Sequence, residues 1–259
     1  MKVDQQERFD LVYDIGETLL KNGAEVKRVE STITHVAHAF GLENFDSYVS
    51  IHGIFLTSHP NAKNVHAKVR DTPISPISLG RIDAINTLSR HITEGKIGPT
   101  EARKQLTIIQ QETFSSVPLK FVAYMFGSAS FCYIFSGTLA DACGALILGM
   151  ILASYSLFIV PKLKLSQIIA YVTSSFLISL CAALMTVLFP SLNLMSLITG
   201  GIVSLLPGVA IANGIRALFD EDYQTGWTQI LYSFITALSI SIGVGLGLLV
   251  INQLQGVTL

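Results

Sequence analysis

Apolar residues follow two different rhythms along this chain of 259 residues, and the change falls near residue 115. Before that point, apolar and polar positions alternate at the spacings of helices or strands that bury one face. The predicted helices are Gln5 to Lys21, Ala24 to Phe40, Leu79 to Ile92 and Thr100 to Glu112. The predicted strands are Phe45 to Ser58 and Asn64 to Arg70, joined as a hairpin through the turn HPNAK.

Beyond residue 115 the chain consists mainly of long apolar runs. A helix needs roughly 20 apolar residues to cross about 30 Å of hydrocarbon. Five runs meet this length: Val117 to Ser136, Asp141 to Val160, Ser166 to Leu188, Leu192 to Ala212 and Thr228 to Val250. The predicted fold class is therefore a cytosolic α+β domain, residues 1–115, followed by an all-α transmembrane bundle of five helices, residues 116–259.

The fourth run departs from the apolar pattern in the stretch LLPGVAIANGIRALFDEDYQTG, residues 205–226. Pro207 removes a helix hydrogen bond and Gly208 loosens the same place, so a kink or break is predicted there. Backbone groups freed by a break are tolerated only against protein or a water-filled cavity, and transporters use such breaks to bind polar substrates. The alternative is a proline-ended helix in which Asn213 caps a neighbour and Arg216 reaches the lipid headgroups.

Charge is distributed as unevenly as hydrophobicity. Fourteen of the 17 Lys and Arg lie at or before Lys120, and so do 14 of the 18 Asp and Glu. The later basic residues, Lys162, Lys164 and Arg216, fall in the second and fourth connections between predicted spans. Because basic residues mark the cytoplasmic ends of membrane helices, we expect a multi-pass protein of the cell membrane with its N-terminus in the cytoplasm and its C-terminus outside.

Few residues suggest another kind of chemistry. Cys132, Cys143 and Cys181 lie in apolar runs without the spacing of a zinc site or a disulfide framework. His35 and His38 are three residues apart on a predicted helix, but the sequence shows no further convergent ligand and no catalytic or nucleotide-binding motif. No block of Lys and Arg suits nucleic acid. We therefore expect no enzyme activity, metal, cofactor or nucleic-acid partner.

Three stretches resemble the threonine/serine exporter family, in particular its two-component members, in which a five-span chain works with a smaller membrane subunit. NGAEVKRVESTITHVAHAFGL, residues 22–42, resembles the family's Gly-Ala-Glu turn and the Arg-Val-Glu helix that ends in Gly-Leu. VSIHGIFLTS, residues 49–58, resembles the strand that follows. Residues 205–226 resemble the Leu-Pro-Gly, Asn and terminal Thr/Ser-Gly signature. The resemblance covers nearly the whole chain.

The resemblance implies a small-molecule substrate, either threonine and serine or a dicarboxylate such as succinate. Together with the predicted break, it indicates that Pro207, Gly208 and Asn213 line the substrate path and that Arg216 attracts a carboxylate at the inner entrance. Ala217 stands where the family often has an acid.

Three acids are secondary candidates for the path. Asp220 and Asp222 lie close to the position of the missing acid. Asp141 opens the second predicted span, where an acid favours the helix N-terminus, so capping explains it better than proton coupling does.

Two questions of function stay open at this level. Five spans rich in Gly and Ser make a thin bundle around a pathway, so either a smaller multi-span subunit or further copies of the chain are expected beside it, together with membrane lipid. The competing function is a cytosolic sensor or enzyme domain tethered by five helices. A helix break with Asn and Arg is costly in a plain anchor, which favours the exporter.

Overall fold

The computed structural model describes residues 5–51, 53–61, 64–71 and 77–255. The chain divides into two compact units, Met1–Phe114 and Ser115–Leu259. We describe each unit by itself.

The N-terminal unit contains four helices. Their bounds lie within two residues of the predicted ones, because each helix places its apolar residues on one face and leaves its charges outside. The helices are α1 (Gln5–Lys21), α2 (Val26–Ala39), α3 (Leu79–Thr93) and α4 (Pro99–Gln111). Fully buried side chains of α1 and α2, among them Phe9, Tyr13 and Ile33, form the centre of the core.

A small antiparallel sheet completes this unit, with the strand order β1-β2-β3. The strands are β1 (Phe45–Ser50), β2 (Gly53–Asn61) and β3 (Asn64–Asp71). The predicted strand from Phe45 to Ser58 is wrong, because the chain reverses within it and pairs Phe45 with Ser58. Its only turn signal was Gly53, inside an otherwise continuous run of strand-forming residues. In the predicted turn HPNAK, residues 59–61 belong to β2, while residues 62 and 63 lie outside the described residues.

The C-terminal unit is built of helices. Their bounds are α5 (Val117–Ile134), α6 (Leu139–Ser154), a π-helical turn (Tyr155–Ile159), α7 (Val160–Leu163), α8 (Gln167–Leu188), α9 (Leu194–Ile202), a 3₁₀ turn (Val203–Leu205), α10 (Gly208–Phe219) and α11 (Tyr223–Gln255). Four helices in the described chain are long and apolar enough to cross a membrane, with α6 counted through to Leu163. A fifth crossing exists only if Leu194–Leu205 and Gly208–Phe219, which are bent by 59°, form one span.

The predicted fold class, a cytosolic α+β domain followed by five transmembrane helices, is therefore wrong. The described chain is mostly helical throughout, and its sheet is one small element among the helices of the N-terminal unit. The physical reason is that α1 to α4 supply most of the buried side chains there. In the C-terminal unit, the fourth predicted span is two helices instead of one.

Glycines set the closest helix contacts of the C-terminal unit. A Cβ added to Gly149 of α6 would lie 2.5 Å from the carbonyl oxygen of Tyr124, and one on Gly200 of α9 would lie 2.6 Å from that of Ser128. Helices α6 and α9 therefore each approach α5 backbone to backbone. In membranes the dispersion energy of such contacts takes the place of the hydrophobic effect that drives helix packing in water.

Candidate substrate path

The break in the fourth span follows directly from its proline. Leu206 has φ −67° and ψ 134°, the extended conformation that a following proline imposes. Pro207 then forms the N-cap of α10, and the chain turns by 59°. The break predicted from Pro207 and Gly208 is confirmed, although α10 continues to Phe219, beyond the predicted end of the span at Ala212.

Helix α10 begins without a side-chain cap. The amide of Gly208 donates to the carbonyl of Leu206 at 2.9 Å, and the first helical bond runs from the Ile211 amide to the Pro207 carbonyl at 3.1 Å. Between them, the amides of Val209 and Ala210 belong to the first turn, where no preceding turn supplies acceptors. The N-cap, Pro207, has no side-chain acceptor to offer. These amides therefore need an acceptor from outside the helix.

If the two helices form one span, their lengths put the break deep in the hydrocarbon. The segment Leu194–Leu205 is about 18 Å long at 1.5 Å per residue, which is more than half of a hydrocarbon core of about 30 Å. Helix α10 has a similar length, and a bend of 59° lets it advance about half of that distance along the axis of α9. In a single span of this kind, the uncapped start of α10 lies far from both ends of the span.

The predicted path residues occupy α10 and its start. Val209, Asn213 and Arg216 follow one another at spacings of four and three residues, which places them on one strip of the helix. Asn213 is half-buried and Arg216 is exposed. Gly208 is exposed but lies about 140° around the helix from Asn213, at 100° per residue, so the structure does not bring all four predicted residues to one face.

Another face of α10 packs on α11. A Cβ on Gly214 would lie 3.2 Å from the Gly226 carbonyl oxygen, and one on Gly226 would lie 2.7 Å from Leu218 Cγ. Gly214 and Gly226 thus let the two helices touch. Sequence reasoning missed Gly214, although it stands beside Asn213 in the same signature stretch.

These observations can be set beside known proteins. The family model described as "Putative threonine/serine exporter" matches residues 10–251. The chain belongs to the threonine/serine exporter family. No curated protein and no solved structure matches it.

Membership agrees with the apolar helices, and this exporter-family chain is a multi-pass membrane protein of a transporter family. The broken span carries the Pro-Gly and Asn of the signature stretch that the sequence analysis connected with this family. Transport, unlike anchoring, uses a helix interruption inside the membrane.

Two of the secondary candidates lie in the turn between α10 and α11. Asp222 accepts a hydrogen bond from the Thr225 amide at 3.1 Å, and so caps the start of α11. Asp220 is the exposed C-cap residue of α10. Glu221 between them has a left-handed backbone with φ 64°. This acidic turn follows Arg216 by one turn of helix.

The third secondary candidate, Asp141, makes hydrogen bonds that hold two helix starts together. Its Oδ2 accepts hydrogen bonds from the amide and the hydroxyl of Thr138, both at 2.8 Å, and Thr138 in turn accepts from the Asp141 amide. Its Oδ1 accepts the amide of Asn193 at 2.7 Å. Asn193 caps α9 through the Ser196 amide. Asp141, which is 1% exposed, therefore joins the starts of α6 and α9.

A second polar group lies between α8 and α11, and sequence reasoning missed it. The Tyr232 hydroxyl donates to Gln167 Oε1 at 3.0 Å and lies 3.5 Å from the hydroxyl of Tyr171. The signal available in the sequence was the pair of tyrosines near the start of α8 and in α11. The serines of α8 have a different role, since the Ser175 hydroxyl donates to the Tyr171 carbonyl of its own helix.

His35 and His38 of α2 do not form a centre. His35 Nδ1 lies 2.6 Å from the carbonyl oxygen of Ser31, one turn earlier in α2, and His38 is exposed. Within the described ranges, no group of three or more His, Cys, Asp or Glu side chains is placed to hold a metal ion.

Proposed function

We propose that this chain exports a small metabolite carrying a carboxylate, either threonine and serine or a dicarboxylate such as succinate, along a path that begins at the break in the fourth span. The supporting observation is the uncapped start of α10. Its free amides and the positive end of the helix dipole favour an anion, so a substrate carboxylate is the acceptor that they need.

The other predicted path residues extend this site toward the cytoplasm. Asn213 lies one turn beyond Val209 and offers both a donor and an acceptor to a polar substrate. Arg216 lies a further turn along the same strip and attracts the carboxylate at the inner entrance. In this arrangement Pro207 and Gly208 form the break, and Asn213 and Arg216 face the path.

Charge supports one orientation. If the bent pair is one crossing, Lys120, Lys162, Lys164 and Arg216 all lie on the same side of the membrane, and that side is cytoplasmic by the positive-inside rule. Residues 1–115 and the α10–α11 turn then lie in the cytoplasm, and the C-terminus lies outside. Asp141 and Asn193 fall on the outer side.

A further subunit is part of this proposal. Leu206 is 51% and Val209 52% exposed, and a Cβ on Gly208 would meet no atom of the described chain within 4 Å. Free amides beside these residues cannot face lipid without a cost of several kcal/mol per group. A smaller multi-span subunit or a second copy of the chain therefore covers the break and encloses the path.

Export assays on two variants test the path. Wild-type protein, Asn213→Ala and Arg216→Gln are compared in cells preloaded with labelled threonine or succinate, with Thr199→Ala and Lys164→Gln as matched controls. Thr199 bonds only its own helix and Lys164 is exposed. We expect Asn213→Ala to lower export about tenfold or more, the effect of one lost hydrogen bond to a charged group. Arg216→Gln should mainly raise the substrate concentration for half-maximal export.

Equal export by all five proteins at equal membrane levels would remove Asn213 and Arg216 from the path. The subunit proposal has a separate test, in which the full-length chain is purified from its native membrane. A second multi-span protein or a second copy should copurify with it. Substrate flux through liposomes that hold isolated single chains would contradict this.

A further inference from the structure

The N-terminal unit contains a cavity of about 450 Å³ between α1 and α4. Its volume lies in the lower part of the range of small-molecule sites, roughly 300 to 1,000 Å³. Glu7, Asp10 and Leu11 line it from α1, and Pro99, Thr100, Arg103 and Lys104 line it from α4. The lining thus combines two acids, two bases and a hydroxyl with two apolar side chains.

Two of the four charges are already neutralised by the protein. Asp10 accepts a hydrogen bond from Lys68 at 3.0 Å, and Arg103 forms an ion pair with Asp14. Burial alone would raise the pKa of Asp10, but hydrogen bonds from Lys68 and Gln6 and the nearby positive charges hold that pKa below its ordinary value. Lys68 also contacts Asp14 at 3.5 Å, so this network fixes α1 against α4 and β3.

The other two charges have no such partner. Glu7 and Lys104 are exposed, and neither has a hydrogen bond or an ion pair within the described part of the chain. They line the same cavity with opposite charges, yet their charged atoms are not within ion-pair distance of each other. The space between them therefore suits a ligand that carries both charges.

We propose that this cavity binds a small zwitterionic α-amino acid, with its ammonium group on Glu7 and its carboxylate on Lys104. Thr100 offers a hydroxyl to a polar substituent, and Leu11 and Pro99 form the apolar wall against which a short side chain packs. A purely anionic ligand would meet the unpaired charge of Glu7, and a purely cationic ligand would meet that of Lys104. The mixed lining thus selects against both.

The site lies within the N-terminal unit and goes beyond the proposed export path on α10. It gives the chain a place at which an amino acid can bind without being transported. Exposed charges on both sides predict weak binding, in a range of about 0.1 to 10 mM, suited to sensing an abundant metabolite.

Hydrogen exchange of the full-length protein in lipid nanodiscs tests this proposal, because it reports on α1 and α4 separately from α10. L-threonine, succinate and N-acetyl-L-threonine serve as probes, the last two lacking an ammonium group. L-threonine should slow exchange in the first turns of α1 and α4, with half-maximal protection in the millimolar range. Succinate and N-acetyl-L-threonine should give at least about tenfold weaker protection.

Glu7→Gln and Lys104→Gln should each weaken the protection by about tenfold, since each removes one charge-assisted contact. Glu43→Gln and Arg28→Gln, which change exposed charges outside the cavity, should bind like the wild type. Protection that is absent at 10 mM, unaltered in both cavity variants or equal for succinate would overturn the proposal. Asn213→Ala should leave this protection intact, so failure of the export path and failure of this site are distinguishable.

Discussion

Two glycines of α11, two residues apart, have opposite surroundings. A Cβ on Gly243 would collide with the Ser175 hydroxyl and with the Val172 carbonyl oxygen of α8, whereas one on Gly245 would meet no described atom within 4 Å. Gly243→Ala and Gly245→Ala therefore make the same chemical change in the same helix. Only the first forces α8 and α11 apart.

The magnitude follows from the difference between the two variants. Alanine in place of glycine favours a helix by up to about 1 kcal/mol at either position, so this gain cancels in the comparison. The remaining difference is the cost of overpacking, about 1 to 3 kcal/mol. One of the colliding atoms at Gly243 is a backbone carbonyl that cannot rotate away, so we expect a value near 3 kcal/mol.

The free energies of unfolding can be measured in mixed micelles by denaturant titration, followed through the fluorescence of Trp227, the only tryptophan in the chain. Gly245→Ala should equal or exceed the wild type in stability, and Gly243→Ala should be lower than Gly245→Ala by about 3 kcal/mol. Equal stability of the two variants would show that α8 and α11 do not pack at the observed distance.

Three further outcomes are expected. Asp141→Asn should lower the free energy of unfolding by about 2 kcal/mol, because an amide nitrogen would replace the oxygen that accepts the Asn193 amide. Export per folded molecule should stay near the wild-type rate. Lost export at unchanged stability would instead make Asp141 a transport residue. Pro207→Asp should stabilise α10 by about 1 kcal/mol and stop export, because the new carboxylate caps the amides that we assign to the substrate. Pro207→Ala is the control without a carboxylate. Export that persists in the aspartate variant contradicts this assignment. The pKa of Asp10 is lowered from 3.8 in the folded protein, so its contribution to stability is complete above that pH and is lost as the pH falls through the lower folded value. Melting curves between about pH 5 and 2 should show this loss of stability in the wild type and a smaller loss in Lys68→Met. Identical profiles would refute the role of Lys68.

The sequence by itself determined the features that depend on local pattern. Helical spacing placed α1 to α4 within two residues, and hydropathy found four long membrane helices as well as the apolar run of α9. The break at Pro207 was also predictable, because a proline lacks a backbone N–H and restricts the conformation of the residue before it wherever it stands. The motifs in three stretches were enough to identify the family, which the match over residues 10–251 confirms.

Tertiary structure decided what depends on partners distant in sequence. The third strand was hidden because the reversal is fixed by the pairing of β1 with β2, and Gly53 was its only signal within a continuous strand-forming run. The role of Asp141 required the Asn193 amide, 52 residues away. The difference between Gly243 and Gly245 likewise depends on which of them faces α8. Local propensity depends on residues that are neighbours in the sequence, whereas packing contacts and hydrogen-bond partners form only when the helices pack together.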